Sequence, residues 1–233
     1  MSTARESEPT SVRFALYFPW LVDAMDVDGI RAQWASYPTV VQVPPVPSAD
    51  HPDLDDILED HPWPLGLTVF EGGASGERVL FQGDRLAIEW NAQLTDHEYP
   101  RYAAMKQLLG QRYNEFTGLL TRNGVNDIPS IAACDCLYTT HLPKNNASTV
   151  AYRIVTGGDP PVEVKMPKFS SFHRHVHWRD NNPLDIDASD QEDGTRLSIQ
   201  AYLHLAESES WEDAMDDCHQ QALSLFATST GGV

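Results

Sequence analysis

The sequence predicts an α+β fold: two sheet-plus-helix lobes of similar layout, built mainly from antiparallel strands. Three observations carry this. Short runs with a two-residue apolar period recur along the chain, the spacing of strands with one buried face. Two long stretches, after residues 100 and 210, place apolar residues at offsets of three and four, the spacing of amphipathic helices. Each half of the chain closes with a strand followed by such a helix, which repeats a layout without repeating residues. A hydrophobic content of 41% over 233 residues, with six Trp, supplies enough apolar surface for a sizeable core.

The domain reading is a flexible polar arm over 1–10, an N-terminal lobe over 11–122 and a C-terminal lobe over 123–233, or one continuous domain. Val12, Phe14, Leu16 and Phe18 alternate with Arg13, Ala15 and Tyr17, so a strand runs there until Pro19. Asp26-Val27-Asp28 precedes a short helix at Gly29–Trp34, where acidic residues suit the helix N-terminus. Ile30 and Trp34 give that helix one apolar face. Thr39–Val43 reads as a strand, and Pro44-Pro45-Val46-Pro47 turns it into an extended linker. His51–Asp60 reads as a short surface helix or acidic loop, Leu65–Glu71 as a strand and Gly72–Gly76 as a turn. Arg78–Gln82 and Arg85–Asn91 form a hairpin about Gly83-Asp84, with Leu86, Ile88 and Trp90 on one face. The following helix is opened by Tyr99-Pro100, with Pro100 in the first turn, where its missing N–H costs nothing. Its stripe includes Tyr102, Met105, Leu109, Tyr113, Phe116 and Leu120.

In the second half, Asn123-Gly124 marks a turn. Strands are expected at Ser130–Leu142, Ser148–Thr156, Val162–Met166, Ser171–Trp178 and Thr195–Leu205, with an acidic polar loop over Asn181–Gly194. A final helix from Ser210 buries Trp211, Ala214, Met215, Cys218, Ala222, Leu225 and Phe226.

The charge balance is lopsided, with 34 acidic against 16 basic residues and a formal net charge of −18. Such a chain is repelled by nucleic-acid phosphates and anionic membranes, so neither is expected as a direct partner. No apolar run approaches the about 20 residues of a membrane-spanning helix. The opening MSTARESEPT has no apolar signal region, which predicts a cytoplasmic protein. The three cysteines, Cys134, Cys136 and Cys218, are then expected as thiols and not as a disulfide framework.

Several stretches together resemble a family of uncharacterised prokaryotic proteins with a sporadic distribution among genomes. They are Val12-Arg13-Phe14, Tyr37-Pro38-Thr39-Val40, the block from Val79 to Leu86 (VLFQGDRL), Trp90-Asn91, Tyr99-Pro100-Arg101-Tyr102 and the closing helix from His219 to Phe226. The resemblance runs close to full length, and the middle block is its most specific part. Residues 131–142 depart from the pattern, with Cys136-Leu137-Tyr138-Thr139-Thr140 where the family has an aromatic-Ile/Val-Asn strand. The resemblance implies no catalytic residue. Its patchy distribution implies accessory genes in defence, mobile-element or toxin–antitoxin loci.

Two constellations are able to carry chemistry. In Phe172-His173-Arg174-His175-Val176-His177-Trp178, strand alternation puts His173, His175 and His177 on one face, roughly 7 Å between successive Cβ atoms. Two of them can reach one zinc or iron ion, completed by Asp180, Asp185 or Asp187. The plainer reading is an edge of outward histidines with Phe172, Val176 and Trp178 inward. Cys134-Asp135-Cys136 with His141 nearby is the second, and buried structural thiols are its plainer reading, because apolar neighbours and acidic charge both oppose a thiolate. Arg101-Tyr102 and Arg112-Tyr113 pair basic with aromatic residues, but both tyrosines fall on the apolar stripe. No phosphate-binding loop, dinucleotide fingerprint, serine elbow or His-Glu-x-x-His is present.

The expected function is therefore a non-enzymatic protein-interaction subunit with a basic protein partner and no cofactor. Antitoxin, immunity or phage-defence accessory roles are the settings that the resemblance implies. A metal-dependent enzyme using zinc or iron on His173, His175 and His177 is the alternative, and a chaperone-like binder of unfolded segments is a second.

Overall fold

The computed structural model of the chain describes residues 8–19, 22, 29–46, 66–72, 75–160, 168–179 and 182–230. The strands are β1 (Pro9–Tyr17), β2 (Thr39–Val43), β3 (Leu67–Glu71), β4 (Glu77–Gln82), β5 (Arg85–Asn91), β6 (Ala133–Pro143), β7 (Ser171–Trp178), β8 (Asn182–Gln191) and β9 (Gly194–His204). The helices are α1 (Ile30–Gln33), α2 (Tyr102–Arg122), α3 (Ala147–Thr156) and α4 (Trp211–Thr230). The fold is α+β, with antiparallel strands and long helices after residues 100 and 210. Expected elements at Asp26–Asp28, His51–Asp60 and Val162–Met166 lie outside the described residues.

The chain gathers into two compact units, each assembled from separate segments. The first, here the hairpin unit, holds residues 13–134 and 205–211, with strand order β2-β3-β4-β5-β1. The second, the histidine unit, holds residues 135–204 and 212–233 with the described residues up to Val12, and runs β6-β9-β8-β7. Pro9 and Thr10, read from composition as part of a loose arm, belong to β1, and the Thr10 hydroxyl donates to the Thr139 carbonyl.

In the hairpin unit, β4 and β5 pair from Glu77 opposite Trp90 to Gln82 opposite Arg85, closing on Gly83-Asp84 as the alternation predicts. Leu86 and Ile88 are fully buried beneath α2, whose buried stripe is Met105, Leu109, Phe116, Leu119 and Leu120. The Phe116 ring stacks on Phe18 at 5.4 Å and meets Phe81 at 5.2 Å. Burial of one such side chain stabilises by about 1.5–3 kcal/mol, so this stripe is the main attachment of α2. Pro100 lies outside the helix it was expected to start: Arg101 is the N-cap, and Met105 N–H donates to its carbonyl at 3.2 Å. The helix ends where Gly124, at φ 85°, lets Val125 N–H reach the Leu120 carbonyl.

The turn itself is a buried polar knot. Asp84 and Arg85 are 2% and 8% exposed, and the guanidinium grips the carboxylate through two bonds, Nε to Oδ1 at 2.9 Å and Nη2 to Oδ2 at 2.8 Å. Gln82 donates to Asp84 Oδ1 and exchanges bonds with the Val46 backbone in both directions. Arg85 also donates to the Val46 carbonyl and lies over the Tyr17 ring. Phe18 and Val22 N–H donate to the carbonyls of Asp84 and Gly83. Removing one partner of a buried pair strands the other charge and costs about 3–5 kcal/mol, whereas replacing both with apolar residues costs far less. We therefore expect Asp84→Ala to lower stability by about 3–5 kcal/mol in urea unfolding, and Asp84→Ala/Arg85→Met to recover much of that loss.

The histidine unit differs from expectation in two elements. Residues 148–156 form helix α3 and not a strand. Asn146 caps it by accepting from Thr149 N–H at 2.9 Å, Asp190 Oδ1 accepts from Ala147 N–H at 2.6 Å, and Gly157 ends it at φ 73°. Its β-branched residues lower helix propensity only by tenths of a kcal/mol each. A cap stabilises by about 1 kcal/mol, and burial of Val150, Ala151 and Ile154 on one face adds more. Residues 182–191 form strand β8 and not a loop. Its acids hide the alternation: Leu184, Ile186 and Ala188 are buried while Asp185 and Asp187 point the other way.

Both helices of this unit cover the same face of its sheet. Arg174 donates to the Ile154 carbonyl of α3, and register places Arg174 opposite Ile186, then Ile186 opposite Ile199. On β6, Cys136 Sγ touches Met215 Sδ at 3.2 Å and the Tyr138 hydroxyl meets His219 Nδ1 at 2.7 Å, both on α4. Arg153 of α3 donates to the Ser229 carbonyl of α4. The opposite face carries no helix among the described residues.

Candidate functional site

That helix-free face is built from polar rows that run across the strands. β7 and β8 pair antiparallel with His173 opposite Asp187, His175 opposite Asp185 and His177 opposite Pro183. β8 and β9 continue the rows, with Asp187 opposite Ser198 and Asp185 opposite Gln200. Ser198 Oγ shares a hydrogen bond with Thr139 Oγ1 at 3.1 Å, and Gln200 Nε2 donates to Asp135 Oδ2 at 2.5 Å. One row thus reads His173, Asp187, Ser198, Thr139, and the next His175, Asp185, Gln200, Asp135. Alternation is the cause, because residues two apart share a face of a strand.

The rows open toward β7, an end strand of the sheet order. Asp135 is fully buried and Thr139 is 7% exposed, whereas the His173 and Asp187 side chains are 60% and 59% exposed. Each of the first two histidines is held through Nδ1 by the carboxylate opposite, at 2.7 Å in both cases. Nε2 is therefore the nitrogen that each has left for a proton, a ligand or a metal. His177 faces Pro183, and its ring lies 4.9 Å from that of His175 at 89°.

The sequence placed His173, His175 and His177 together, and the structure brings them to one exposed face with Asp185 and Asp187. Phe172, Val176 and Trp178 lie on the other side, and Trp178 Nε1 donates to the Tyr202 carbonyl. Asp180 lies outside the described residues. No three His, Cys, Asp or Glu among the described residues stand close enough to hold a metal ion together. Ser198 and Gln200 were not singled out from sequence, although the alternation of β9 sets them on its polar face, and Asp135 was named only within the cysteine constellation.

The cysteine constellation is not brought together. Cys134, Cys136 and Cys218 are all fully buried and none is in a disulfide. Alternation along β6 sends Cys136 toward α4 and His141 to the opposite face, where its ring meets Asp193 at 3.2 Å. Tyr102 and Tyr113 pack against Phe14 and Phe18, as their place on the stripe predicts.

Comparison with family models and with curated proteins finds no match. Among solved structures, the chain is similar to the crystal structure of DynU16, from the dynemicin biosynthetic locus, at 14% identity and a TM-score of 0.26. The similarity covers 95% of this chain and 97% of that one. A likeness at that level carries no functional argument. No helix among the described residues is long and apolar enough to cross a membrane.

A second charged cluster lies in the hairpin unit and has a structural explanation. Glu115 accepts from Trp34 Nε1 at 2.8 Å and from Arg112 Nη1 at 2.8 Å, while the Tyr37 hydroxyl donates to Glu77. Arg112 lies over the Tyr37 ring at 5.4 Å. Burial alone would raise the Glu115 carboxyl, but bonds from Arg112, Gln111 and Trp34 outweigh it and hold the carboxyl below its usual range. Burial and then Glu77 push the Tyr37 phenol well upward, so it stays a neutral donor. The cluster ties the residues after α1 to β4 and α2.

The hydrogen bond that His173 donates to Asp187, and next the charge of that carboxylate, raise His173 above its ordinary value of 6.5. A raised histidine stabilises the fold fully below its unfolded value and loses that contribution as pH rises through the folded value. At this exposure the pair is worth at most about 1 kcal/mol. In an NMR titration, His173 should show a midpoint above 6.5 that falls toward 6.5 in Asp187→Asn. The stability gap between the two proteins should close as pH rises through the wild-type midpoint. Equal midpoints would show that Asp187 does not set the charge of His173.

Proposed function

We propose that the chain is a non-enzymatic interaction subunit whose contact surface is the helix-free face of the histidine unit, and that its partner is a basic protein. The observation that supports this most is the pair of cross-strand rows, which set aspartates beside histidines on an exposed surface that ends at an outer strand. The chain's charge of −18 favours a cationic partner over nucleic acid or an anionic membrane. All three thiols are buried, away from solvent nucleophile chemistry. A cytoplasmic location belongs to the same reading, and an antitoxin, immunity or phage-defence accessory role is added on the strength of the family resemblance.

The second reading is a metal-dependent enzyme using His173, His175 and His177. It is favoured by one feature, the carboxylates that hold two histidines through Nδ1, an arrangement that orients metal-binding imidazoles in many proteins.

Affinity purification of the tagged chain, co-expressed with its neighbouring genes, separates the readings. The interaction reading predicts a basic partner at one-to-one stoichiometry, and a loss of at least about tenfold in affinity with Asp185→Lys/Asp187→Lys, since like charge across an interface costs several kcal/mol. Alanine at His173, His175 and His177 should leave the complex largely intact. The absence of any stoichiometric partner, or a complex indifferent to the charge reversal, would overturn it.

A further inference from the structure

We infer that His175 and His177 form a two-nitrogen chelate for a borderline divalent transition-metal ion such as Cu(II) or Zn(II), with Asp185 as its positioning residue and His173 outside it. The inference rests on neither reading of the function, because it requires only the strand.

The spacing of the rings decides which histidines take part. Two imidazoles bound to one tetrahedral ion, through bonds of about 2.0–2.1 Å, hold their ring centroids about 5 Å apart. The His175 and His177 rings already stand at 4.9 Å, near perpendicular, on the exposed side of β7. His173 has the same kind of carboxylate partner, Asp187, but among the described residues its ring makes no contact with either of the other two.

The electronic arrangement agrees. Asp185 Oδ1 lies 2.7 Å from His175 Nδ1, which places the proton on Nδ1 and leaves the Nε2 lone pair outward as a donor. His177 has Pro183 opposite, with no side-chain acceptor, so its ring is available to turn either nitrogen toward the ion. Imidazole nitrogen suits copper, zinc and nickel better than it suits calcium or magnesium. Asp185 and Asp187 add negative potential beside the site, which favours a cation. Among the described residues no third ligand closes the set, so water fills the remaining positions. Such a site exchanges metal and stays open to a further ligand, unlike a closed structural site.

Titration of the full chain with Cu(II) alone, followed by calorimetry and electron paramagnetic resonance, tests this. We expect one copper per chain with nitrogen coordination, and weaker binding of Zn(II) at the same site. His175→Ala and His177→Ala should each weaken binding at least about tenfold, and Asp185→Asn about tenfold or more through loss of ring orientation. His173→Ala should bind as wild type does. Because these side chains lie on the solvent face, the variants should keep the wild-type circular dichroism spectrum. An equal loss in His173→Ala, unchanged binding in His175→Ala/His177→Ala, or no copper binding by the wild type would each overturn the assignment.

Discussion

The two-residue period of the histidine unit's sheet is the constraint from which its other features follow. Along β8 it sends Leu184, Ile186 and Ala188 one way and Asp185 and Asp187 the other. β9 does the same with Leu197, Ile199 and Ala201 against Ser198 and Gln200. The apolar side needs a cover, and α3 and α4 both supply it there. The polar side carries no helix among the described residues and is exposed at its β7 end. A slip of one residue in register would exchange the two faces, burying the aspartates beneath helices at a cost that no local pairing repays.

The hairpin unit solves a different problem. Its turn residues Asp84 and Arg85 are buried, and a buried charge is tolerated only with its partner and with further bonds to its remaining polar atoms. Gln82, the Val46 backbone and the Tyr17 ring provide that surrounding. The block VLFQGDRL is held by this geometry. Its Gln, Asp and Arg hold a segment near Val46 and the end of β1 to the hairpin, while Val79, Phe81 and Leu86 share the face that packs against α2. The conspicuous stretch is thus a structural knot, and the exposed chemistry lies in the other unit.

How far residues predict structure here depends on whether pattern or partner decides. The hairpin, α2, α4, β7 and β9 rest on periodicity and appear where the spacing placed them. Residues 148–156 read as strand because Thr149, Val150, Ile154 and Val155 are β-branched, yet the capping side chain of Asn146, the remote carboxylate of Asp190 and the buried face of α3 decide for a helix. That reach of Asp190 across the sheet is a tertiary contact, invisible in local sequence. β8 read as loop because Asp185, Asp187, Asp190, Glu192 and Asp193 crowd residues 181–194, although its alternation was intact. For the candidate site, the three histidines were visible from spacing alone. Their aspartate partners were named without a register, and the inner ends of the rows, Thr139 and Asp135, required the β6 neighbour to be known.

The interaction surface and the metal chelate both require the histidine face to be accessible. Histidine carbethoxylation of the native chain, read residue by residue by mass spectrometry, measures this directly. His173, His175 and His177 should react fast, while His219, bonded to Tyr138 beneath the sheet, should react at least about tenfold more slowly. If the three strand histidines are as protected as His219, the face is covered in the native protein and neither the interaction surface nor the chelate exists there.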